Sequence, residues 1–233
     1  MNETLAKALE ALKTYDWGED PNVLKPIGEA IVATHTDAAA RKELEDRLVA
    51  VLKTELPHAA KDAVCRALQT IGTATSVPAL ALLLADEKLS HMARYALERI
   101  PGPEAGQALL DALPKVAAKL KIGIIGSLGV RGEATSVAPL QALLADSDPT
   151  LAVAAAYALG DIRSPEAAKA LVVAKPGAAT KEAIADASMA CAESLLSAGN
   201  KAAAKVTYEK VLASTPSKVA KDAATRGLQT CAK

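Results

Sequence analysis

The tetrapeptide Ala-Thr-Ser-Val occurs twice in this chain, at 74–77 and at 134–137, each time after a Leu-rich helical segment. The context repeats with it. Cys65-Arg66-Ala67-Leu68-Gln69-Thr70-Ile71-Gly72 precedes the first copy, and Gly126-Ser127-Leu128-Gly129-Val130-Arg131-Gly132 precedes the second. Arg94-Tyr95-Ala96-Leu97 and Ala156-Tyr157-Ala158-Leu159 have the same form, and each is followed by Pro-Glu-Ala, at 103–105 and at 165–167. Aligning Leu68, Leu97, Leu128 and Leu159 gives a period of about 30 residues. A chain with such a period is constrained to stack one supersecondary unit on the next. Val77, Leu80, Leu83 and Leu84 on one helix, and Val137, Leu140, Leu143 and Leu144 on another, are more apolar surface than a lone hairpin can bury.

Composition names the unit. Phe is absent, there are one Trp and four Tyr, and half the residues are hydrophobic, mostly Ala, Leu and Val. Ala and Leu favour helix, while strand-forming aromatic residues are scarce, so the fold class is all-α. Ala at 63, 67, 93, 96, 155 and 158 lets helices approach closely. Local signals set the turns. Asp146-Ser147-Asp148-Pro149 breaks a helix begun at Val137, and Ser164-Pro165-Glu166 starts the next with a capping Ser and a first-turn Pro. Thr36 or Asp37 caps a helix running to about Glu55, and Gly132 suits a helix stop. Trp17, in the loop 15–21, is placed to cover the open end of the core.

The repeated stretch resembles the short HEAT-type repeat of phycobilisome-lyase-like proteins. Asp148-Pro149, Ala154-Ala155-Ala156, Ala158-Leu159-Gly160, Ile162 and Pro165-Glu166-Ala167 carry the likeness, which is strong over about residues 58–175. The resemblance implies a right-handed α-α superhelix, a solenoid of stacked antiparallel hairpins. The helix-borne Arg of that unit is replaced by Ser90 and Ala152, with Lys61 as a stand-in, so apolar stacking rather than an ion ladder should join the repeats. Gly199 through Ala204, then Tyr208, Val211 and Pro216, is similar to the second half of a tetratricopeptide unit. The resulting organisation is N-terminal capping helices at 1–57, HEAT-like repeats at 58–177, and a longer TPR-like hairpin with a terminal helix at 178–233, in one continuous solenoid. The last helix reads either as a cap or as a point from which a longer protein continues.

Reactive chemistry is not indicated. His35, His58 and His91 have no partner at metal-helix spacing, and Cys65, Cys191 and Cys231 lie far apart without a C-x2-C pair. The expectation is no metal, no cofactor and no catalytic residue. Gly123 and Gly126 lack the strand and the Gly-Lys-Ser of a phosphate loop and read as sites of close helix packing. The carboxylate pairs Glu19-Asp20 and Glu45-Asp46 read as loop and solvated helix face. Lysine plus arginine and aspartate plus glutamate both total 27, so the formal charge is zero, and with few aromatics no nucleic-acid partner is expected. No apolar run reaches the length of a membrane span. Met1-Asn2-Glu3-Thr4 lacks a secretory signature, which leaves a cytoplasmic protein or one whose signal has been removed.

The resemblance implies a non-catalytic scaffold that binds a protein or peptide partner of unknown identity on the concave face, lined by the second helix of each hairpin. Pro78, Leu82, Gln107, Asp111, Gln141 and Lys169 are the candidate protein-binding residues, because they alternate with the buried Leu positions of those helices. The alternative is an accessory subunit assisting a cofactor-handling enzyme, a lyase-like role that would need a polar cluster or a reactive thiol.

Overall fold

The computed structural model describes residues 3–214 and 217–232, which are helical with no strand among them. The chain divides into two compact units, Met1–Leu120 and Lys121–Lys233. The first unit contains α1 (Glu3–Ala11), α2 (Lys25–Ala33), α3 (Ala38–Leu52), α4 (His58–Ile71), α5 (Val77–Ala81), α6 (Ser90–Arg99) and α7 (Pro103–Ala112). The division falls inside the first turn of α8 (Ala118–Arg131). The second unit continues with α9 (Val137–Leu143), α10 (Pro149–Ile162), α11 (Pro165–Val173), α12 (Lys181–Ser197), α13 (Lys201–Ala213) and α14 (Lys218–Cys231).

Within each unit the helices of the repeats pack on their hairpin partners and on the helix two places along. In the first unit α4 meets α6 and α5 meets α7; in the second α10 meets α12, α12 meets α14, α9 meets α11 and α11 meets α13. This alternation sorts the repeat helices of each unit into two rows, a first row of α4 and α6 or of α10, α12 and α14, and a second row of α5 and α7 or of α9, α11 and α13, the pattern that the period of about 30 residues predicts. The core lies between the rows. Leu68, Leu80, Leu97 and Leu109 fill it in the first unit, and Ile124, Leu128, Leu140, Leu159 and Leu171 in the second, all at zero exposure. Burying each such side chain contributes about 1.5–3 kcal/mol.

The helix starts follow the local chemistry. Asp37 accepts from the N–H groups of Ala39 and Ala40, Asp148 from Thr150, Ser164 from Ala167, Asn200 from Ala203 and Ser217 from Ala220. The Thr150 N–H held 2.8 Å from Asp148 Oδ1 also keeps that carboxyl below its usual pKa. Gly132, at φ +67°, ends α8 in the left-handed region. Ser90 and Ala152, in place of the Arg of the repeat, are buried at 2% and 1% exposure, so neither repeat carries a cation at that position. Pro216 lies outside the described residues.

Three sequence expectations are corrected. Trp17 is 71% exposed and does not cover the core; Leu9, Leu12 and Ile27 close that end instead. Gly126 has open space where a Cβ would stand, so close packing does not explain it. The tight contacts belong to Gly129, whose Cβ would lie 2.8 Å from Ala158 Cα, and to Gly160, whose Cβ would lie 2.9 Å from Ala187 Cα. Glu45 is only 1% exposed rather than solvated. Its carboxylate accepts from the Thr73 N–H at 2.7 Å, the Thr73 hydroxyl at 3.0 Å and the Ser76 hydroxyl at 2.6 Å. This joins α3 to the 3-10 turn Ala74–Ser76 that leads into α5.

Candidate functional site

The outer sides of α5 and α7 are set by the residues that face inward. Ala79, Leu80 and Leu84 are buried along and just after α5, and Ala105, Gly106 and Leu109 along α7. The positions between them, at spacings of three and four, must then point out. Pro78 and Leu82 do so from α5 and its last turn, and Gln107 and Asp111 from α7. Leu82 is 77% exposed, a large apolar side chain left in water. Gln107 Nε2 donates to Asp111 Oδ1 at 2.7 Å, one turn along the same helix. Because α5 and α7 are in contact, these four candidates share one surface of the first unit.

In the second unit Val137 and Leu140 turn inward from α9, and Ala167, Ala168, Ala170 and Leu171 from α11. Gln141 and Lys169 are exposed on these two contacting helices. They line one shallow depression of about 360 Å³, with Val137, Glu166 and Val173 among the other walls. All six predicted residues are therefore exposed on second-row helices, in two sets, one per unit.

Sequence reasoning missed further members of the same surface. Thr75 and Glu104 in the first unit, and Glu166 and Val173 in the second, are exposed at repeat-equivalent positions. The 29-residue step from Thr75 to Glu104, equal to the step from Pro78 to Gln107 and from Leu82 to Asp111, would have found the first pair. Other apolar groups are exposed on the first row, among them Tyr95 on α6, Tyr157 on α10 and Val219 on α14. In the sequence these two tyrosines served only as markers of the repeat.

Chemically these surfaces offer contact rather than reaction. Among the described residues no three His, Cys, Asp or Glu side chains converge as metal ligands would. Cys65 and Cys191 are buried, and burial pushes their thiols up to about 12 and about 11, so both stay protonated and poor nucleophiles. Cys231 is half-buried. His35, His58 and His91 are exposed; the His91 ring sits 4.3 Å from that of Tyr95. No helix among the described residues is long and apolar enough to cross a membrane.

A family model for HEAT repeats matches residues 106–187, from α7 into α12. No curated protein matches the chain.

Proposed function

From the premise that residues 106–187 are HEAT repeats in an all-helical repeat protein, we propose that the chain is a non-catalytic scaffold that holds a protein or peptide segment on its second-row helices. Repeats of this family generally mediate protein–protein interaction. The observation that carries the finer reading is Leu82, 77% exposed beside Pro78, Gln107 and Asp111. Exposed apolar surface rimmed by polar groups often marks an interaction site. The row to which it belongs is the concave side in solenoids of this kind, which favours an extended ligand lying on it. The buried, protonated state of Cys65 and Cys191 gives no support to an accessory role in cofactor chemistry.

The test is selection of a phage-displayed random dodecapeptide library on the purified protein, followed by affinity measurement of the enriched peptides. Leu82→Asp in the first unit and Gln141→Lys in the second, made singly and together, should weaken binding while leaving the thermal midpoint nearly unchanged. Unchanged affinity in all three variants would remove this face from consideration.

A further inference from the structure

The two helices that form the face in the first unit differ in chemistry. The α5 side presents Thr75, Pro78 and Leu82, none of them charged, whereas α7 presents Glu104, Gln107 and Asp111. Neither carboxylate takes part in an ion pair among the described residues. Gln107 donates to Asp111 and holds that carboxylate at one end of the row. The result is an apolar strip with an acidic edge and no cation of its own among these six positions. From this we infer that the first unit binds an extended peptide segment carrying two basic side chains and an apolar one between them. The inference rests on the peptide-binding reading above and names the partner's chemistry.

Spacing sharpens the requirement. Glu104 and Asp111 are seven residues apart on one helix, about 10 Å along its axis. In an extended polyproline-type chain three residues span about 9 Å, and side chains three apart point to the same side. A Lys or Arg at positions i and i+3 therefore reaches both carboxylates at once. The apolar residue between them turns toward Pro78 and Leu82. The second unit does not repeat this edge: at the places equivalent to Gln107 and Asp111 it has Lys169 and Val173, so the basic preference belongs to the first unit. Charge complementarity of this kind acts through selectivity and salt dependence more than through raw affinity.

The same selected dodecapeptides test this inference separately. Enriched sequences should carry Lys or Arg at three-residue spacing. Glu104→Lys combined with Asp111→Lys should lower their affinity about 10-fold and flatten the salt dependence, with the thermal midpoint unchanged. Asp161→Lys, at an exposed position on α10 outside this face, should change affinity less than about 2-fold by the same reckoning. Enriched peptides with no basic preference, or an affinity that survives the double charge reversal, would overturn the inference while leaving peptide binding intact. Failure to enrich any peptide would overturn both.

Discussion

Glu45 shows most plainly how one residue ties two repeats together. Its carboxylate is shielded from water, and the Thr73 N–H and the Thr73 and Ser76 hydroxyls satisfy it. Truncating it would leave the buried Ser76 hydroxyl and the part-buried Thr73 N–H without their acceptor, which costs more than the bonds themselves contribute. Glu45→Ala should therefore destabilise the protein by about 2–4 kcal/mol, measured by urea unfolding. A loss below about 0.5 kcal/mol, the level of a solvated surface position, would show the clamp to be unimportant. None of this was legible in the sequence. The donors lie 28 to 31 residues away, and nothing local distinguishes Glu45 from Asp46, which is exposed. The thiols were readable, by contrast, because a Cys on a repeat helix rich in Ala is a small apolar residue suited to its inner face; Cys65 and Cys191 are both at zero exposure.

At the level of the helix, local chemistry was the dependable guide and helical phase the weak one. The cap at Ser164 and the one offered at Thr36 or Asp37 needed only their own neighbours, and they form at Ser164 and Asp37. In α8 the run Ile122-Gly123-Ile124-Ile125-Gly126 is apolar almost all round, so spacing does not say which glycine faces a neighbouring helix. The structure places Gly129 against Ala158 and leaves Gly126 in open space. The two sites should respond oppositely to the same substitution. Gly126→Ala adds a methyl group in water and removes backbone freedom from the unfolded chain, and should stabilise by about 0.5–1 kcal/mol. Gly129→Ala drives a Cβ into the Ala158 backbone and should destabilise by about 1–3 kcal/mol. Equal effects at the two positions in urea unfolding would contradict the packing described for α8 and α10.

For the molecule as a whole, the return of one Leu-Ala pattern every 30 residues or so carried the architecture, because stacking is what buries that surface. The candidate face was legible for the same reason: inward Leu positions define outward ones, and all six predicted residues are exposed. What the face binds was not legible, since exposed Gln, Asp and Lys are also ordinary solvated residues, and zero formal charge excludes only a partner drawn by a global field. The distribution of exposed apolar groups makes the central claim testable. Leu82 stands on the second row, while Tyr95 and Tyr157 stand on the first and Trp17 lies in the loop ahead of α2. Hydroxyl-radical footprinting, with and without the peptide enriched on this protein, reads all four side chains in one experiment. The account predicts that bound peptide shields Leu82 and Pro78 from oxidation and leaves Trp17, Tyr95 and Tyr157 as reactive as in the free protein. Shielding of Trp17 or the two tyrosines, with Leu82 unchanged, would contradict it.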